Sequence, residues 1–164
     1  METTQLAISV RRARVEDAPA LARLVNLAYQ VEGFFVDGER TDAIEIERLV
    51  RTGGFIVLDF DDRRLAGAVY IDPMRDGDGG YFGMLSVDPS LQGMGLGTRL
   101  VRIAEAMCEA MGARSVRLRI VNLREELGRW YRSLGYREVG TAPYDHRPVK
   151  QPCHFVEMHK HLAA

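Results

Sequence analysis

The segment Gln92-Gly93-Met94-Gly95-Leu96-Gly97-Thr98 places three glycines just before a run whose apolar residues recur at helical spacing. Glycine has no Cβ, so a ligand can approach that backbone closely. The first N–H groups of a helix lack internal partners and sit at the positive end of its dipole, worth about half an elementary charge, so an anion is the natural occupant. Successive amides from Gly93 to Thr98 could converge on a pyrophosphate without help from a cationic side chain. Two phosphate loops do not fit. A P-loop needs Lys ahead of the helix-starting Ser/Thr, and Gly97 stands there, before Thr98. The dinucleotide fingerprint needs a third glycine where Thr98 lies, and it follows a first parallel strand, whereas this turn comes after a hairpin.

Other residues with chemical capacity are scattered. Glu32, Asp37, His146 and His154 are candidate bases or substrate contacts, with solvated or structural roles as the alternative. His154, His159 and His161 cluster near the C-terminus, but their spacing on a strand and the lack of a second ligand group argue against a metal site, so no metal is expected. Cys108 falls in an apolar helical stripe and Cys153 is the only other cysteine, so a disulfide framework is not expected.

The elements that must position these residues follow from periodicity. Leu6 to Arg14 alternates as a first strand, Asp17 offers an N-cap, and a helix runs to about Gln30. After an irregular stretch, Ile44 to Val50 marks a second helix, ended by Gly53 and Gly54. Phe55 to Phe60 and Leu65 to Ile71 read as an antiparallel hairpin around Asp61-Asp62-Arg63-Arg64, and Asp72 to Gly80 as a loop. Tyr81 to Val87 is a fourth strand, stopped at Asp88-Pro89. Residues 96 to 111 carry one broad apolar face, with Gly112 placed to close that helix in the left-handed conformation. A strand at 115 to 121, a helix at about 124 to 134, and strands near 136 to 141 and 154 to 160 complete an α/β chain: a mixed sheet of about seven strands flanked by four helices.

A length of 164 residues suits a single domain, 1–164. The formal net charge of -1 argues against a surface built to bind nucleic acid. No segment approaches the ~20 apolar residues of a membrane span, and Met1 to Ala7 shows no basic patch followed by an apolar run, so a cytoplasmic protein is expected.

Met84-Leu85-Ser86-Val87-Asp88-Pro89 followed by Gln92 to Thr98, with Trp130-Tyr131-Arg132-Ser133-Leu134-Gly135-Tyr136 downstream, resembles the acyl-CoA signature of the GCN5-related N-acetyltransferases, the GNAT family. The resemblance spans nearly the whole chain, from Ile8 to Leu162. It implies the GNAT fold, α/β of the α+β type with a mostly antiparallel sheet splayed between strands 4 and 5, and acetyl-CoA as cosubstrate. The pantetheine arm would lie in that splay along Leu85, Ser86 and Val87, with the pyrophosphate on Gln92, Gly93, Met94, Gly95, Leu96, Gly97 and Thr98, and Asn122 near the pantetheine; for Asn122 a loop cap is the alternative. Tyr131 matches a catalytic tyrosine facing the thioester sulfur, although it shares a helical face with Leu127 and Leu134, so core packing is its alternative.

The resemblance further implies that Tyr29, Glu32, Phe34 and Phe35 line an acceptor pocket, with aromatic core packing as the alternative for Tyr29, Phe34 and Phe35. Arg129 and Arg132 are candidates for the cofactor's ribose phosphate, with a solvated surface role as the alternative. No carboxylate lies within the fourth strand, where some relatives place a Glu, so the sequence supplies no dedicated base there. The implied activity is acetyl transfer to a primary amine of a small molecule or protein by direct attack, and a homodimer through the closing strands is one assembly it allows. Two other functions stay open: an acyl-CoA-binding sensor without turnover, and a nicotinamide-dependent oxidoreductase.

Overall fold

Phe55, Ile56, Val57 and Leu58 are all buried, and one face of a strand cannot hide four consecutive side chains. Helices must therefore cover both faces of their sheet. A computed structural model, which describes residues 7–61 and 64–162, shows how. In chain order the elements are β1 (Ile8–Arg12), α1 (Ala18–Ala28), α2 (Ala43–Thr52), β2 (Gly54–Phe60), β3 (Arg64–Asp76), β4 (Gly79–Val87), α3 (Leu96–Ala110), β5 (Ser115–Val121), α4 (Glu125–Ser133), β6 (Arg137–Pro143) and β7 (His154–His161). The sheet order is β1-β2-β3-β4-β5-β7-β6, antiparallel throughout except for the parallel pair β4 and β5. This is the mixed seven-stranded, four-helix architecture expected from the sequence.

Alternation along the strands sorts the core into two layers. Ile56, Leu58, Val69, Ile71 and Phe82 pack under α3 and α4, against Leu100, Val101, Ala104 and Tyr131. Phe55, Val57, Ala68 and Tyr70 pack on the opposite face, against Leu21, Leu24 and Val25 of α1 and Ile46 of α2. The sheet thus separates an α1/α2 side from an α3/α4 side.

The pairing of β4 with β5 is short. Gly79, Gly80 and Tyr81 face Ser115, Val116 and Arg117, and no pairs follow, so the two strands part beyond Tyr81. A bulge marks the departure. Ala68 pairs with Ser86 and Tyr70 with Gly83, so Val69 alone faces Met84 and Leu85, and Met84 adopts φ +49.

Three local expectations are corrected. Asp72 to Gly80 is a continuation of the β3–β4 hairpin and not a loop, held by Asp72↔Tyr81 and Asp76↔Gly79 pairing around Gly77 at φ +68. Asp17 makes no cap bond to α1; its carboxylate accepts from the Arg14 N–H at 2.6 Å and from Arg11, closing a 3-10 turn over Val15–Asp17 instead. The first helix ends at Ala28, and a 3-10 turn runs over Tyr29–Phe34. Gly112 does adopt φ +90 after α3. The readings at Met1 to Leu6 and at Asp62-Arg63 lie outside the described residues.

Candidate active site

The parting of β4 and β5 opens a cavity of about 1070 Å³ that runs through the sheet, lined on both of its sides. On the α3/α4 side its wall is the glycine turn. Gly93 and Gly95 have φ of +82 and +80, the left-handed region that side chains with a Cβ rarely adopt, and no atom lies within 4 Å of where either Cβ would project. Gly97 lies beside α4: a Cβ there would touch the Trp130 ring at 3.4 Å. The first bond behind the turn runs from the Arg99 N–H to the Gly95 carbonyl at 3.0 Å, so the amides of Leu96, Gly97 and Thr98 precede the helix ladder. Among the described residues, no side chain caps them.

The exposed edge of β4 adds a second set of backbone groups. The Asp88 N–H donates to the Ala66 carbonyl at 2.9 Å, which directs the even-numbered backbone toward β3. By alternation the amides of Leu85 and Val87 face the opening, and both residues line it. Ser86 is buried, its hydroxyl donating to the Met84 carbonyl at 3.0 Å, and its side chain does not reach the cavity. Met94 projects outward, 51% exposed.

Tyr131 closes the wall on α4. It is buried against Trp130, Phe82 and Tyr136, with ring centroids 4.8, 6.2 and 5.7 Å away. It nonetheless borders the cavity, and burial pushes its phenol well above the ordinary tyrosine value, so it holds its proton.

The α1/α2 side is built by two segments laced together. Val36 bridges Val149, the Lys150 N–H donates to the Phe35 carbonyl at 2.8 Å, and Lys150 Nζ donates to the Gly33 carbonyl at 2.7 Å. This lacing brings Tyr29 and Glu32 into one wall with Tyr144, His146 and Arg147. Glu32 is 4% exposed and accepts from Arg124 at 3.0 Å and Arg147 at 3.4 Å. Burial outweighs those two arginines and lifts its carboxyl above the ordinary glutamate value. Burial likewise pushes the Tyr29 phenol up to about 12.

Of the remaining sequence candidates, Gln92 lines the cavity with the glycine turn. Phe35 is fully buried with Val36, Val121 and Phe155, and Phe34 is half exposed; neither lines the cavity. The Asn122 side chain accepts from the His154 N–H at 2.8 Å, joining β5 to β7, and with Arg129 and Arg132 it borders a separate depression of about 290 Å³. Asp37 lies 3.6 Å from Lys150 and, like His154, is outside the cavity wall. Sequence reasoning missed Arg40, Arg48, Tyr70, Arg75, Tyr81, Arg124 and Arg147. The only signal for Tyr70 and Tyr81 is hairpin register, which is hidden when Asp72 to Gly80 reads as a loop.

The family model described as Acetyltransferase (GNAT) family matches residues 19–136, most of the chain and most of the residues that line the cavity. The chain belongs to the GNAT family. A search of curated proteins found no match. Among solved structures, yncA of Salmonella typhimurium, determined with its cofactor acetyl-CoA, is similar at TM-score 0.74 and 17% identity, covering 96% of this chain and 95% of that one. A GCN5-related N-acetyltransferase from Kribbella flavida gives 0.75 and 21%, with 95% and 98% covered. A ribosomal-protein-alanine N-acetyltransferase from Brucella melitensis gives 0.77 and 17%, with 94% and 99% covered. These likenesses establish the GNAT fold. The uncapped amides, the two left-handed glycines with open space before them and the free β4 edge fit the diphosphate and amide-bearing arm of acetyl-CoA.

Proposed function

We propose that this chain is an acetyl-CoA-dependent N-acetyltransferase that moves the acetyl group to a primary amine by direct attack, with both substrates bound. The observation that carries this reading is the convergence on one cavity of three features: the uncapped start of α3, the unpaired edge of β4, and a protonated Tyr131. When bound, acetyl-CoA supplies a thioester whose acetyl carbon accepts the amine and whose leaving group is a thiolate. Gly93 to Thr98 hold the diphosphate through their amides, with Gln92 at the start of the turn. Leu85 and Val87 hold the pantetheine amides as a neighbouring strand would.

Tyr131 gives its proton to the departing sulfur. A free thiol near ~8.5 and a phenol near ~10 are close enough for such transfer, and the dry wall that lifts the phenol lifts a thiolate beside it too. The amine must shed a proton before it attacks. Glu32 and His146 are the two sequence candidates that border the cavity, and turnover against pH in Glu32→Gln and His146→Gln variants assigns the role.

One experiment decides the reading. Acetyl-CoA at about 100 times its dissociation constant should add roughly 2.7 kcal/mol of stability, visible as a raised Tm, and NADH should not. Gly95→Val places a β-branched residue at φ +80 and a methyl where the diphosphate lies, and should abolish the shift. An unchanged shift in that variant removes the diphosphate from the turn. Release of free thiol across a panel of amines distinguishes an enzyme from a sensor, which would bind acetyl-CoA and release none.

A further inference from the structure

The cavity is far more basic than the chain. Six arginines and three carboxylates line it, in a protein whose formal net charge is -1. The diphosphate site on α3 is built from main-chain amides, and three of the arginines lie across the sheet from it. Arg40 stands 5.6 Å from the Tyr29 ring and Arg75 stands 4.0 Å from the Tyr81 ring, while Arg48 is close enough to Tyr70 to affect its titration. All three tyrosines pack on the α1/α2 side.

The carboxylates of α2 neutralise only part of this group. Glu47 pairs with Arg51 at 3.0 Å, and Glu45 accepts from the Thr41 hydroxyl at 2.7 Å and reaches Arg40 only at 4.0 Å. Arg48 is left without an ion pair among the described residues, its side chain bordering the cavity. Glu32, the buried carboxylate of this side, is itself matched by Arg124 and Arg147. Arg75 has Asp72 at 3.5 Å and Arg40 has Glu45 at 4.0 Å, so the positive charge left unpaired at the mouth among the described residues is that of Arg48, beside aromatic rings that exclude water from one side of it.

We infer that the acceptor is an amine that also carries an anionic group, a carboxylate or a phosphate, received at the α1/α2 mouth by Arg40, Arg48 and Arg75. This deepens the acetyltransferase reading and rests on it. Guanidinium groups bind carboxylate and phosphate through paired N–H donors, and a neutral analogue forfeits those bonds and leaves the arginines as they were. A polyamine, by contrast, meets like charge at the mouth.

Matched pairs test this: L-phenylalanine against L-phenylalaninamide, L-alanine against L-alaninamide, and O-phosphoethanolamine against ethanolamine, with spermidine alongside. Thiol release should favour the acidic member of at least one pair by tenfold or more in kcat/KM, and which pair responds tells carboxylate from phosphate. Arg48→Glu, on the exposed side of α2, should raise KM for that amine about tenfold and shrink the preference, with the acetyl-CoA Tm shift intact. Equal or better use of the neutral members or spermidine overturns the inference, as does an unchanged preference in Arg48→Glu. The same acidic amines should raise the Tm of the CoA-loaded protein and lose that effect in Arg48→Glu. Binding without thiol release would keep the anion site and defeat the acetyltransferase reading; neither binding nor release for any acidic amine defeats the anion site itself.

Discussion

At the scale of single residues, Tyr131 and Glu32 show how burial sets chemistry. Both sit in walls that exclude water, and both have the neutral form favoured for that reason. For Tyr131 the outcome is a proton held in reserve. Tyr131→Phe keeps the ring contacts to Trp130, Phe82 and Tyr136 and removes only the hydroxyl, so kcat should fall about 10²-fold with acetyl-CoA binding unchanged. Steady-state rates beside a binding isotherm check this, and full activity in the variant would take the tyrosine out of the mechanism. Glu32 has a structural duty as well. Its two arginine partners are nearly buried and Arg124 keeps a second carboxylate in Glu126, so Glu32→Gln strands Arg147 and should cost on the order of 3 kcal/mol, measurable as a lower urea midpoint. A midpoint unchanged within error would mean that solvent already compensates Arg147.

At the scale of elements, the cavity opens where β4 parts from β5 beyond Tyr81, next to the bulge of β4 against β3 at which Met84 is held at φ +49. An unbranched side chain tolerates that conformation better than one branched at Cβ. Met84→Ile should therefore lose about 1–2 kcal/mol relative to Met84→Leu, which is similar in volume but free of the extra branch. Equal urea midpoints for the two variants would show that the backbone relaxes there. Helices and the glycine turn are legible in the sequence because their signals are local: the apolar stripe from Leu96 to Cys108, the left-handed Gly112, and three glycines at a helix start. The extension of the β3–β4 hairpin is not, since Pro73, Gly77 and Gly79 favour a turn and only pairing across the sheet imposes strand geometry. Nor are the acceptor-side arginines. Arg40, Arg48, Arg75, Arg124 and Arg147 are dispersed along a chain rich in arginine, and only the lacing of residues 33–37 to 148–151 and the register of β3 with β4 make neighbours of them.

At the scale of the whole molecule, a few carboxylates tie distant elements together, and their titration governs how the fold responds to acid. Glu105 of α3 accepts from the Tyr136 hydroxyl at 2.8 Å, from Lys160 of β7 at 2.9 Å and from Arg102 at 2.9 Å, pinning the α3 layer to the last strands. Burial alone would raise this carboxyl, but the bonds from Lys160, Arg102 and Tyr136 hold it below its ordinary value of 4.5. Asp17 is lowered chiefly by its bond from Arg11, and Asp88, against its own burial, by Ser90 and Arg64. In each case the unfolded chain binds the proton more readily, so the stabilisation is complete above the unfolded values near 4 and is lost as pH falls through the folded ones. Glu32 runs the other way: its raised carboxyl favours the folded state at low pH, and that contribution fades as pH climbs from its unfolded value of 4.5 through the folded one. Glu126, lowered against its own burial by its bond from Arg124, joins the lowered groups, and four lowered carboxyls against one raised predict a urea midpoint that drops below about pH 4. Glu105→Gln should show both a lower midpoint at neutral pH and a shallower acid limb, because the charge whose protonation causes part of that loss is already absent. An acid limb as steep as that of the parent protein would shift the cause to Asp17 after β1, Asp88 after β4 and Glu126 in α4.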